Sequence, residues 1–126
     1  MKDFQLEPYR VARIKVEQDH SAIHTVSVGN SAQVLVEFDR SLAPYESDAI
    51  TREFERLAAT GGQISELRLI NNRMRFSTKD DEVPAEILEF IVDNSERLAE
   101  GTTREFNKAA SILQNLESGL QQFVAS

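Results

Sequence analysis

Six apolar residues near the C-terminus recur at alternating steps of three and four, and this spacing constrains the fold more than any other feature of the sequence. We name them the C-terminal stripe: Phe106, Ala109, Leu113, Leu116, Leu120 and Phe123. Such steps place side chains along one side of an α-helix, as in the seam of a coiled coil. A seam of this kind requires a partner surface. Four partners stay open: the earlier helix, the face of a sheet in the same chain, a second copy, or another protein.

Residues 84–126 are predicted to be helical with one break. Pro84 suits a first helical turn, and the acids at 80–82 favour the positive end of the helix dipole. Gly101 is predicted to end the first helix, because glycine readily takes the left-handed closing conformation. Residues 102–105 (Thr-Thr-Arg-Glu) then have the spacing of a capping box that begins the next helix. The alternative is one long helix in which the apolar seam shifts its phase.

The rest of the chain is predicted to form strands and one further helix. Runs of extended character, rich in β-branched or alternating apolar residues, occupy residues 9–16, 23–28, 32–39, 63–70 and 73–77. Tight turns are predicted at 29–30 (Gly-Asn) and 71–72 (Asn-Asn), where positive backbone angles cost little. The helix is predicted to begin after a cap at Ser47 or Asp48 and to end at 60–62 (Thr-Gly-Gly).

The resulting order, β-β-β-α-β-β-α-α, predicts an α+β domain with an antiparallel sheet of about five strands and helices on one face. The 126 residues suffice for one domain with one hydrophobic core. Residues 84–126 are the C-terminal helical segment of this domain, and the stripe makes them the candidate dimerisation element.

Charge and composition narrow the classes of function. The net charge of -7 opposes binding to a nucleic acid by bulk electrostatics. The chain has no cysteine, which excludes disulfides and thiolate chemistry. We find no apolar run long enough to cross a bilayer and no leader pattern. We therefore expect a cytoplasmic protein that binds neither nucleic acid nor membrane.

Candidate chemistry is sparse. His20 and His24 are the only histidines, and two ligands alone make a poor zinc site. The acids at 80–82 could form a carboxylate pair or a divalent-metal site if the fold brought Asp39, Glu46 and Asp48 close to them, but helix capping explains most of these acids better. The sequence thus predicts no catalytic residue, no metal site and no cofactor, and the protein is not expected to be an enzyme.

A small basic strip is predicted on one face of the second hairpin. Arg68, Arg73 and Arg75 alternate with the inward-pointing residues of that hairpin. Three arginines give few phosphate contacts, so we expect salt bridges to the acids of a neighbouring helix instead.

At the level of element order, the chain resembles the small acidic secretion chaperones, which are dimeric and bind unfolded segments of a secreted effector. It departs from their pattern because Pro8 and the short segment before Tyr9 leave little room for the usual first helix. The leading hypothesis is a chaperone-like or adaptor-like protein-binding module, homodimeric, with a partner that is basic or unfolded. One alternative is an inhibitor or immunity-type protein that neutralises a basic partner. The other is a small enzyme or ligand-binding domain, with a pocket lined by the following residues: Tyr9, His24, Phe38, Tyr45 and the acids near Asp39.

Overall fold

The structure of this chain is a computed structural model, and it describes residues 5–18 and 31–124. The elements in chain order are β1 (Val11–Gln18), β2 (Ala32–Phe38), α1 (Pro44–Ala59), β3 (Ile64–Ile70), β4 (Arg73–Thr78), α2 (Val83–Asp93) and α3 (Ser95–Gln121). The α+β class and the long helical C-terminus are confirmed.

The strands form one antiparallel sheet in the order β1-β2-β4-β3. About five strands were predicted, and the described part of the chain contains four of them. The predicted strand at 23–28 and the turn at 29–30 lie outside the described residues. The other four strands agree with the prediction to within two residues. The start of β1 differs because Tyr9 is buried in the core before the ladder begins at Val11.

Helix α1 begins at Pro44, earlier than the predicted cap, and Ala43 is its N-cap residue. Proline is already set for the first helical position. The Glu46 carboxylate accepts a hydrogen bond from the Ala43 amide at 2.8 Å, which supplies the side-chain half of a capping box. The helix ends as predicted, because Gly61 has a φ of 103°.

Strands β3 and β4 form the predicted hairpin. Asn71 has a φ of 57°, which is the left-handed conformation that a tight turn of this kind requires. Leu69 lies opposite Met74 in the ladder, as expected for two inward residues. The register shifts between Ser65 and Arg68, so β3 carries a bulge that the pattern did not predict.

The break in the C-terminal helices was predicted at the wrong residue. It lies at Asn94, between α2 and α3, where the Asn94 side chain donates to the Phe90 carbonyl at 2.8 Å. Gly101 is buried inside α3, where an added Cβ would lie 2.3 Å from Cε1 of Tyr45. This glycine therefore allows close packing rather than helix closure. Thr102 and the threonine after it donate to carbonyls one turn back, so no capping box forms at 102–105.

The core lies between one face of the sheet and the three helices. Alternate residues of β2 and β4 point into it, as the period of a strand requires. The buried sheet residues are Val34, Val36, Phe38, Ile64, Met74 and Phe76. The helices contribute Ile50, Phe54, Leu57, Ile87, Ile91 and Leu98. The other face of the sheet is not covered by the helices that the structure describes.

Candidate interaction surfaces

A buried ion pair holds the segment before β1 against the start of α1. Arg40 donates hydrogen bonds of 2.6 and 2.7 Å to the two carboxylate oxygens of Glu46, whose side chain is 0% exposed. Arg40 also donates to the Glu7 carbonyl at 2.8 and 3.1 Å. The hydrogen bond to Glu46 raises the pKa of Arg40, so the cation is retained. The Arg40–Glu46 ion pair therefore has a structural role, because its charged groups already bind each other and the Glu7 backbone.

Tyr9 is a core residue rather than part of a ligand pocket. Its hydroxyl donates to the Ile91 carbonyl, and its ring packs edge to face on Phe38 with centroids 5.3 Å apart. Burial raises the pKa of the Tyr9 hydroxyl. Tyr45 lies against Gly101, and Asp39 is exposed and accepts a hydrogen bond from the backbone of Arg10. His24 lies outside the described residues.

The first part of α3 is anchored in the domain. Leu98 and Ala99 are buried, and Gly101 fits under the ring of Tyr45. The hydroxyl of Thr103 accepts a hydrogen bond of 3.0 Å from the Leu6 amide. These contacts fix the direction in which the rest of α3 leaves the domain.

The remainder of α3 carries the C-terminal stripe into solvent. Every residue from Lys108 to Val124 is exposed. Leu113, Leu116, Leu120 and Phe123 are 68%, 53%, 59% and 76% exposed, and Phe106 is 53% exposed. The sequence predicted one apolar side for this helix, and the structure places that side along α3 with little burial by its own domain.

Strand β1 presents a second exposed apolar area. Ile14 and Val16 are 52% and 64% exposed, although they lie opposite the buried Val36 and Val34 in the ladder. They therefore point to the same side of the sheet as the core, at an edge that the helices do not reach. The sequence predicted that these residues share one side of a strand, but not that this side is exposed.

The uncovered face of the sheet carries a basic depression of about 800 Å³. Its cations come from three strands and are Arg13, Lys15, Arg68, Arg73 and Arg75. The ladder aligns them in rows across the sheet: Lys15 lies opposite Leu35, Leu35 opposite Arg75, and Arg75 opposite Arg68.

The predicted salt bridges between the basic strip and helix acids are not formed among the residues that the structure describes. Within that part of the chain, Arg68, Arg73 and Arg75 make no ion pair. The reason is topological, since these side chains point to the face opposite the helices. The β1 cations of the basic depression were missed because strand pairing is long-range and the sequence does not show which strands are neighbours.

The described part of the chain holds neither a cluster of metal-ligating side chains nor a membrane-spanning helix. Within 5–18 and 31–124, no three His, Cys, Asp or Glu side chains gather closely enough to hold a metal ion. His20 lies outside these ranges. None of the helices described is long and apolar enough to span a bilayer.

Asp80 serves as a local cap. Its carboxylate accepts hydrogen bonds from the backbone amides of Glu82 and Val83 at 2.8 and 3.2 Å, and these bonds lower the pKa of Asp80. The interpretation of this acidic run as helix-capping therefore holds for Asp80.

Comparison with protein-family models, with curated proteins and with solved structures gives no match to this chain.

Proposed function

We propose that the protein is a non-enzymatic interaction module, adaptor-like or chaperone-like, that works as a homodimer joined through the C-terminal stripe. The observation that carries the proposal is the exposure of Leu113, Leu116 and Leu120 along α3, and of Phe123 in the turn that follows it. Most helix stability in proteins comes from packing of an apolar face rather than from the intrinsic propensity of the residues. A projecting helix with an exposed apolar side is therefore expected to gain stability from a second surface.

The exposed area fits a contact between two copies. The stripe and its neighbours Ile112 and Val124 expose on the order of 600 Å² of apolar surface, against about 800 Å² per partner in a standard stable interface. A two-fold contact uses the same patch on both subunits, so one apolar stripe serves both sides. The exposed apolar residues of β1 add area at another edge.

The charge of the helix favours a second copy over a strongly charged partner. Residues 104–124 contain two cations, Arg104 and Lys108, and two acids, Glu105 and Glu117. This segment has no net charge, whereas the whole chain has -7. Two copies can therefore approach along α3 without the repulsion that their total charge produces elsewhere. An acidic or basic partner gains no net attraction from this segment.

Single cysteines test the contact, because the natural chain contains none. Leu116→Cys places a thiol in the middle of the stripe, and Ser118→Cys places one on the opposite side of the same exposed helix. Mild oxidation is expected to give disulfide-linked dimers of Leu116→Cys and little cross-linking of Ser118→Cys. Cross-linking of Ser118→Cys that equals or exceeds that of Leu116→Cys, when at least one variant cross-links, contradicts the proposed contact.

A further inference from the structure

The basic depression has a charge opposite to that of the chain. It is lined by five cations and two carboxylates, Glu17 and Glu37, an excess of three positive charges. Set against the total of -7, this excess leaves the rest of the chain at -10. The depression is thus net positive, whereas the rest of the chain is net negative.

The two carboxylates are engaged with the cations of β1. Arg13 and Glu37 are 2.8 Å apart, and Lys15 and Glu17 are 2.7 Å apart. The arginines of β3 and β4 are not neutralised by them. Glu37 is the register neighbour of Arg73, but its carboxylate is turned towards Arg13.

Two of these arginines face each other across the hairpin. Arg75 of β4 lies directly opposite Arg68 of β3, on a face where both side chains are exposed. Like charges at opposed positions of a ladder destabilise the sheet. An anion placed between them relieves this repulsion, so binding an anion there is favoured beyond the direct attraction.

We propose that the basic depression binds an extended acidic segment of a partner protein, with carboxylates on alternate residues. Arg73 and Arg75 are two residues apart on one strand, which places them about 7 Å apart on the same face. Alternate side chains of an extended peptide have the same spacing, so two carboxylates of the segment can pair with two arginines. Arginine suits this role because its planar group binds a carboxylate with two hydrogen bonds. Ile70, 62% exposed beside Arg73, supplies apolar contact between the charged pairs.

A short acidic protein segment fits better than a nucleic acid. A nucleic acid places many phosphates along its length, and the surplus of -10 outside the depression repels those that extend beyond it. A segment with two or three carboxylates matches the three arginines that have no acidic partner in the described residues. Because the segment is short, it does not extend into the negatively charged surroundings of the depression.

The basic depression is separate from the proposed dimer contact. The stripe lies on α3, and the basic depression lies on the face of the sheet opposite the helices. A variant in one surface is therefore expected to leave the other surface intact.

The test is fluorescence anisotropy with a short labelled peptide in which glutamate alternates with threonine. The control ligands are the same peptide with glutamine in place of glutamate, and a single-stranded DNA of matched charge. The variants are Arg75→Glu in the depression and Arg52→Glu on α1, which is exposed and makes the same change of charge elsewhere. Thermal melting checks that both variants remain folded, as expected for exposed positions.

The glutamate peptide is expected to bind, and its affinity is expected to fall by about tenfold or more in Arg75→Glu and by less than about twofold in Arg52→Glu. The glutamine peptide is expected not to bind. The inference is overturned by failure of the glutamate peptide to bind, by equal losses in the two variants, or by tighter binding of the DNA. A change in the mass of the native protein caused by Arg75→Glu also overturns it, because the depression would then be a contact between copies.

Discussion

Gly101 packs under Tyr45, so the effect of Gly101→Ala on the free energy of unfolding is expected to depend on the Tyr45 side chain. A Cβ at Gly101 would lie 2.3 Å from Cε1 and 2.5 Å from Cζ of the Tyr45 ring. Carbon atoms in contact lie about 3.5–4.0 Å apart, so the ring must move by more than about 1 Å. Forcing an extra methyl group into a packed site costs about 1–3 kcal/mol. Against this cost, alanine is a better helix former than glycine and raises the free energy of unfolding by about 1 kcal/mol.

We therefore expect Gly101→Ala to leave the free energy of unfolding unchanged or to lower it by up to about 2 kcal/mol in the natural chain. In the Tyr45→Ala background the clash is absent, and Gly101→Ala is expected to raise that free energy by about 1 kcal/mol. Urea unfolding of the four proteins of this double-mutant cycle measures the difference. If Gly101→Ala destabilises both backgrounds equally, the glycine is required by the helix backbone and not by the Tyr45 ring. An equal gain in both backgrounds refutes the close contact.

Three further predictions concern the polar contacts of the domain. Tyr9→Phe removes the hydrogen bond to the Ile91 carbonyl and is expected to lower the free energy of unfolding by about 1–2 kcal/mol at neutral pH. Because burial raises the pKa of Tyr9 above its ordinary 10.0, the natural chain loses this contribution as pH rises beyond 10. Alkaline unfolding curves of the two proteins check this loss. Glu46→Ala leaves the Arg40 cation partly buried without its carboxylate, and denaturant unfolding is expected to show a loss of about 3–5 kcal/mol. The Asp80 carboxyl has a lowered pKa in the folded state, so it stabilises the protein above its ordinary pKa of 3.8 and loses this effect as pH falls through its lower folded-state pKa. Asp80→Asn is expected to make the free energy of unfolding less dependent on pH in the acid range. An unchanged pH dependence contradicts this.

Local sequence patterns predicted most of the secondary structure. Alternation located β2, β3 and β4, and the left-handed Asn71 made the hairpin turn predictable. Gly101 was misread because a glycine that permits close approach and a glycine that ends a helix have the same local signature. Only the ring of Tyr45, distant in sequence, distinguishes them.

The interaction surfaces were predictable only where they depend on local sequence and not on contacts between distant residues. The C-terminal stripe is local, so its spacing alone places it on one side of a helix. The basic depression is not local, because Lys15 and Arg75 become neighbours only through the pairing of β2 with both β1 and β4. The sequence showed three of its five cations, and the fold supplies the other two.

Sedimentation equilibrium measures whether the C-terminal stripe joins two copies of the chain. Leu113→Glu places a charge in the stripe, and Ser111→Glu places the same charge on the opposite side of the exposed helix. The natural chain and Ser111→Glu are expected to sediment at twice the 14.2 kDa of one chain, and Leu113→Glu at 14.2 kDa. A natural chain that sediments at the mass of one copy, or a Leu113→Glu variant that keeps the mass of two, is incompatible with a dimer joined through the stripe.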